Sequence, residues 1–168
     1  MTYEEFYKEQ YPVLLKAEEQ LKNLITQSEI NENKKKIAYC ISRIKSPESM
    51  KQKLLKKREE PNAENAVSKV NDAVGIRVIT SFVDYIYKVS DWISSQDHIE
   101  VINIKDYIAY PKPNGYRSYH MIIHLNDLNL NAEIQIRTIA LDFWANLEHQ
   151  MKYKKNIKDE TLIQSDTL

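Results

Sequence analysis

An α+β domain, with a mixed and mostly antiparallel sheet flanked by helices, is expected from three observations. Apolar residues recur at helical spacing through the first third of the chain, and β-branched alternation takes over from Val74 onward. The later elements then run strand, helix, strand, hairpin, helix, an order that stacks helices on one sheet. At 168 residues the chain is long enough for one domain, spanning 1–168, with a core that needs no metal or disulfide.

Taken in order, residues 3–26 set Phe6, Val13, Leu14, Ala17, Leu21, Leu24 and Ile25 among charges, so an N-terminal helix covers about 1–30. Ile37, Ile41 and Ile44 suggest a second helix over 30–44. The single cysteine, Cys40, falls inside that pattern and is expected to be a buried, inert thiol. Ser46-Pro47-Glu48 is a helix start: a serine cap, proline in the first turn and an acid beside it. The helix that follows, 47–58, should turn Met50 and Leu54 inward. Residues 59–70, with Pro61, Asn62 and Asn65, read as a loop. Val74–Thr80 is a strand, 83–95 a helix and 99–105 a strand. Strands at 118–125 and 130–137 are joined by a hairpin at Asn126-Asp-Leu-Asn129. A closing helix over 139–154 carries Ile139, Phe143, Leu147 and Met151 on one side, and 155–168 form a polar tail.

Charge narrows the function classes. Twenty-four basic residues balance twenty-four acidic ones, which argues against a stable nucleic-acid partner held by a general basic surface. The distribution is uneven, because Arg43, Lys45, Lys51, Lys53, Lys56, Lys57 and Arg58 are opposed only by Glu48, Glu59 and Glu60. Such a cluster is either a solvated helix face or a binding wall for a small polyanion. No leader and no apolar run of membrane-spanning length is visible, so no membrane partner and a cytoplasmic location are expected.

The stretch from Asp106 to His120 packs turn formers, cations and tyrosines together. Pro111 and Pro113 restrict the backbone, Asn114-Gly115 favours a turn with positive φ, and Tyr116 and Arg117 project from the bend. An aromatic ring beside Lys112 and Arg117 suits a purine nucleotide, the ring stacking on the base while the cations meet phosphate. The competing reading is a surface hairpin whose tyrosines cover the core.

Glu133, Gln135 and Arg137 alternate with Ile134 and Ile136 and so project from one face of their strand. Asp72 stands just before the strand Val74–Thr80. If the two strands are neighbours, both carboxylates meet beside cations, a donor set suited to Mg²⁺. Arg77 is a cation in a strand otherwise fit for burial, which points to a base, a phosphate or an internal salt bridge. Ser49, Lys53 and Lys57 share one helix face. His120 ends the tyrosine-rich loop, and His149 reads as structural.

These segments, Arg43-Ile-Lys-Ser-Pro-Glu-Ser49, Asp72-Ala-Val-Gly-Ile-Arg77, Asp106-Tyr-Ile with Asn114-Gly-Tyr-Arg-Ser-Tyr-His120, and Glu133-Ile-Gln-Ile-Arg-Thr138 with Phe143-Trp-Ala-Asn-Leu-Glu-His149, resemble in order the synthetase domain of the RelA/SpoT family, and most closely its small alarmone synthetases. The resemblance spans about 37–154 and implies a nucleotidyltransferase-like fold. It implies transfer of the β,γ-pyrophosphoryl group of ATP to the ribose 3′-hydroxyl of GDP or GTP. By the same resemblance Arg43 and Arg77 sandwich adenine, while Lys45, Ser49 and Lys53 bind the ATP phosphates. Asp72 and Glu133 are implied as Mg²⁺ ligands, with Glu133 also orienting or deprotonating the hydroxyl. Tyr116 stacks on guanine, Asn114, His120 and Ala145 complete the acceptor pocket, and Lys112 and Arg117 hold acceptor phosphates.

No histidine- and aspartate-rich hydrolase region precedes the matched part, so alarmone degradation is not expected. Relatives continue beyond the closing helix with helices that help assemble a tetramer. A homo-oligomer is compatible with this chain, but its short C-terminus puts a tetramer in question. Two alternatives share the motifs: the same donor chemistry on an adenosine nucleotide or a tRNA 3′ end, and a catalytically silent nucleotide-binding regulator.

Overall fold

The computed structural model describes residues 1–32 and 37–166. Five strands form one sheet: β1 (Ile37–Ile44), β2 (Val74–Thr80), β3 (Ile99–Asp106), β4 (Tyr119–Leu125) and β5 (Leu130–Thr138). Their spatial order is β1-β2-β5-β4-β3. Among the described residues only β2 and β5 run parallel, and the other neighbours are antiparallel. The expected α+β architecture with a mixed, mostly antiparallel sheet is therefore the observed one.

The sheet is two-sided. Val74, Ile76 and Val78 of β2, Met121 and Ile123 of β4, and Ala132, Ile134 and Ile136 of β5 form its buried face. Helices α2 (Tyr11–Glu32) and α5 (Val83–Ser94) supply the opposing apolar side chains, Leu14, Ala17 and Leu21 from one and Ile86, Val89 and Ile93 from the other. The intervening residues, Gly75, Arg77, His120, Ile122, Glu133 and Gln135, lie only half-buried on the other face. Polar residues on that face are bordered by α3 (Pro47–Lys56) and by α6 (Ile139–Asp166).

Helix α3 begins as its residues dictate. Ser46 Oγ accepts from the Ser49 backbone N–H at 3.3 Å, Pro47 occupies the first turn, and Met50 and Leu54 are fully buried. A short N-terminal helix, α1 (Tyr3–Tyr7), packs against it. The buried Tyr7 hydroxyl donates to the Lys45 carbonyl at 2.5 Å, and the Lys45 N–H donates to the Ala73 carbonyl at 2.8 Å. The connection from β1 to α3 is thus held from both sides, and burial pushes the Tyr7 phenol well up.

Four readings change. Residues 37–44 form an edge strand rather than part of a helix, and 33–36 lie outside the described residues. Isoleucines at 37, 41 and 44 fit a helical period, but only Ile37 and Ile44 are buried. The run pairs with β2 from Ile37↔Thr80 to Ile44↔Val74, so β-branched character and tertiary pairing win. Cys40 is accordingly exposed. The loop at 59–70 contains helix α4 (Ala63–Ser68), capped by Asn62 Oδ1 accepting from the Asn65 N–H at 2.8 Å. Asn62 was legible as a turn former, yet the same side-chain acceptor caps a helix. Helix α6 extends beyond the expected 139–154 to Asp166, and its stripe Ile139, Phe143, Leu147 and Met151 is exposed. Among the described residues no helix is long and apolar enough to cross a membrane.

At Gly75 the clearance between strands requires glycine. A Cβ there would stand 3.2 Å from the Glu133 carbonyl oxygen across the parallel pair. Gly75→Ala is expected to destabilise the fold by roughly 1–3 kcal/mol through overpacking. Urea unfolding measures this, and a stability equal to wild type would show that the strands separate freely.

Candidate functional site

Register builds the site in two rungs across the open face. One rung reads Arg43, Gly75, Glu133, Ile122 and Asn103; the next reads Ile41, Arg77, Gln135, His120 and Lys105. Residues far apart in the chain become neighbours because β5 lies between β2 and β4. Three contiguous recesses follow these rungs. The central one, about 200 Å³, shares Arg43 and Arg77 with a larger recess of about 490 Å³ under α6, and shares Asp72 and Glu133 with a third of about 230 Å³ beside α3.

Asp72 sits where the first and third recesses meet. It accepts from Lys53 Nζ at 2.7 Å and from Lys45 Nζ at 3.0 Å. Burial pushes its carboxyl up, but the hydrogen bonds and charges of Lys53 and Lys45 outweigh burial and hold it below the usual carboxylate range. Glu133 lines the same two recesses. Burial also opposes its ionisation, as does the charge of Asp72, whereas hydrogen bonds from His120 and Gln135 bring its pKa below the ordinary value. Both carboxylates are therefore ionised at neutral pH.

Hydrogen bonds place Glu133 in a ring of side chains. His120 Nδ1 meets its Oε1 at 3.2 Å and Gln135 Nε2 donates to the same oxygen at 2.9 Å. His120 Nε2 lies 3.1 Å from the Tyr116 hydroxyl, which accepts from Arg137 Nη2 at 2.9 Å, and Arg137 Nη2 also donates to Gln135 Oε1 at 3.4 Å.

The loop between β3 and β4 presents Tyr116. Asp106 Oδ1 accepts from the Ile108 and Ala109 N–H groups, both at 2.9 Å, and so starts the loop as an Asx turn. Gly115 has φ +85° and its N–H donates to the Lys112 carbonyl at 2.8 Å, while Asn114 Oδ1 accepts from the Tyr116 N–H at 3.0 Å. Lys112 Nζ stands 4.8 Å from the Tyr107 ring centre and 5.3 Å from that of Tyr116. Beneath the turn lies Trp144 of α6, 3.8 Å from where a Cβ on Gly115 would be.

Most of the residues singled out in the sequence do come together. Arg43, Arg77, Asn114, Tyr116 and Ala145 line the large recess; Asp72, Lys53, His120 and Glu133 line the third. Arg77 is half-exposed, and its Nε is buried without a hydrogen-bond partner among the described residues. Lys45 reaches the site through Asp72. Ser49 is exposed one turn before Lys53, with its hydroxyl 3.0 Å from that of Ser46. Arg117 turns away: its Nη2 donates to the Ile108 carbonyl at 3.3 Å, bracing the loop. The lysine cluster divides, since Lys57 lines the third recess while Lys51 stands 5.8 Å from the Phe6 ring centre.

Other members were not expected from the sequence. Arg137 and Gln135 were readable as sharing the face of Glu133, but not as its supports. His149, read as structural, lines the large recess with Trp144. Asp142 and Tyr39 carried no local signal, the first being an ordinary acid in a first helical turn and the second lying in the misread strand.

Asp72 and Glu133, which line the same two recesses, supply hard oxygen donors of the kind a divalent cation takes. Among the described residues no group of three or more histidine, cysteine, aspartate or glutamate side chains is placed to hold a metal. Mg²⁺ commonly takes one or two carboxylates and completes its shell with substrate phosphates, which matches Asp72 and Glu133 beside lysines.

The chain is similar to several known proteins. GTP pyrophosphokinase YwaC of Bacillus subtilis is 44% identical over 127 residues, a match covering 71% of this chain and 60% of that protein. The chain thus spans less than two thirds of that relative. The crystal structure of small alarmone synthetase 2 from Bacillus subtilis superposes with a TM-score of 0.72 at 39% identity, covering 87% of this chain and 78% of that one. Small alarmone synthetase 1 from the same organism, bound to its product pppGpp, gives 0.67 at 30% identity over 85% of this chain and 77% of that one. The family model described as the region found in RelA / SpoT proteins matches residues 42–158, which takes in both carboxylates, the tyrosine loop and the start of α6, and the chain belongs to that family.

Proposed function

We propose that the chain is a GTP pyrophosphokinase that moves the β,γ-pyrophosphoryl group of ATP to the ribose 3′-hydroxyl of GDP or GTP, releasing AMP and (p)ppGpp. The observation that carries this reading is the meeting of Asp72 and Glu133 between a guanidinium-walled recess and a lysine-lined one. Arg43 and Arg77 clasp the adenine, Lys45, Ser49 and Lys53 take the donor phosphates, and Tyr116 stacks on the acceptor base with Asn114 and Ala145 beside it. Lys112 reaches the acceptor phosphates, and Arg117 holds the loop. Both substrates are nucleotides of the cytoplasm, where the reading places the chain.

In the reaction the 3′-oxygen bonds to the β-phosphorus, the bond from that phosphorus to the bridging α,β-oxygen breaks, and AMP leaves with the electron pair. The hydroxyl proton passes to Glu133, which His120 and Gln135 hold in place. Lysine and arginine side chains offset the charge that develops on the leaving AMP. Mg²⁺ held by Asp72 and Glu133 would neutralise phosphate oxygens. Asp72 is neutralised by Lys45 and Lys53. With the donor bound, Lys45 and Lys53 would turn to its phosphates and Asp72 would be free to hold the cation.

Incubating the chain with labelled ATP, Mg²⁺ and GDP, GTP, ATP or tRNA in parallel should label GDP or GTP and release equal AMP. Label only on another acceptor would change the substrate, and no product on any would overturn the enzymatic reading. Glu133→Gln should lower turnover by about 10²–10⁴-fold while nucleotide binding persists; AMP release near the wild-type rate would remove Glu133 from the chemistry. Asp72→Asn should lose Mg²⁺-dependent turnover, and an unchanged Mg²⁺ titration would contradict its assignment.

A further inference from the structure

Resting on that reading, we propose that Asp142 is a positioning residue shared by the two nucleotide pockets, holding Arg77 for the donor and Arg137 for the acceptor side. Asp142 is 5% exposed and lies in the first turn of α6. Its Oδ1 is 3.3 Å from Arg137 Nη1 and 3.7 Å from Arg77 Nη1, and its Oδ2 accepts from the Tyr39 hydroxyl at 2.7 Å. Asn146 Nδ2 completes the set at 3.5 Å.

Two guanidinium groups here converge on one buried anion. Arg137 is almost wholly buried, and burial together with the neighbouring Arg137 charge lowers the pKa of Arg77, an effect that Asp142 opposes. Without the carboxylate the cations repel each other in a poorly solvated place. Arg77 is the freer of the two, since Arg137 also donates from Nε to Ser118 Oγ at 3.3 Å, and Arg77 would move first.

The acceptor limb is directional. Arginine only donates, so the Tyr116 hydroxyl must accept from Arg137, which leaves its own hydrogen for His120 Nε2. His120 then carries its proton on Nδ1, facing Glu133. Asp142 fixes the guanidinium from which this polarity starts, and it does so without touching the acceptor. A displacement of about 1 Å in such a support costs on the order of a hundredfold in rate.

The test is Asp142→Asn in the full chain, an isosteric change that removes the charge. Calorimetric titration with a non-hydrolysable ATP analogue and, separately, with GDP should show both dissociation constants weakened roughly tenfold or more, and the KM values for ATP and acceptor should rise in parallel. A variant that is merely less stable would lose active fraction, lowering kcat at unchanged KM, and that result would overturn the inference. So would weakening of only one nucleotide. Should Asp142→Asn fail to fold, Arg137→Met cuts the acceptor limb alone: GDP affinity should fall and analogue affinity persist, and loss of both or neither would be fatal. Binding is read without turnover. If the wild-type chain binds both nucleotides yet transfers nothing, the proposed function falls and the role of Asp142 is still decided; if it binds neither, both fall.

Discussion

The parallel pairing of β2 with β5 is the constraint on which the rest depends. Among the described residues it is the one parallel contact in an otherwise antiparallel sheet, and it sets Gly75 opposite Glu133 and Arg77 opposite Gln135. Asp72, at the entry to β2, is carried by the same pairing to the recesses that Glu133 lines. A shift of one residue would turn Glu133 into the core and Ile134 to solvent, so the apolar alternation that buries Ile134 and Ile136 also specifies the site. Packing and chemistry are enforced by the same register.

That register concentrates charge, and the local structure compensates each charge. Lys45 and Lys53 neutralise Asp72, His120 and Gln135 satisfy Glu133, and Asp142 sits between Arg77 and Arg137. Partly buried carboxylates remain ionised because opposite charge and donated hydrogen bonds exceed the desolvation penalty. The cost of assembling cations is met by acids that belong to different elements. Lysines and arginines along these recesses are therefore already ordered, which would lower the entropic cost of binding the proposed nucleotides.

Much of this was legible in advance. The alternation in 130–137 identified Glu133, Gln135 and Arg137 as one face, the serine-proline-acid start located α3, and the proline and Asn-Gly pattern identified the turn that presents Tyr116. The misread strand and the missed members of the site share an origin in contacts between distant segments. The run 37–44 is short, and its isoleucines fit two periods. Only pairing with β2 decides between them, and that pairing also brings Tyr39 to Asp142, an interaction spanning 103 positions in sequence. His149 and Trp144 line the large recess because α6 packs against β5 and β2, a placement which no local pattern encodes.

By itself the sequence determined the element types from Val74 to the closing helix, the two-faced strands and the motif residues that carry family membership, because these depend on local alternation, capping and turn chemistry. Only the tertiary structure decided that β5 inserts between β2 and β4, that residues 37–44 complete the sheet, and that one aspartate in α6 joins two arginines. Those outcomes depend on contacts between distant segments, whose energies are set by the whole packed sheet and not by any stretch of chain alone.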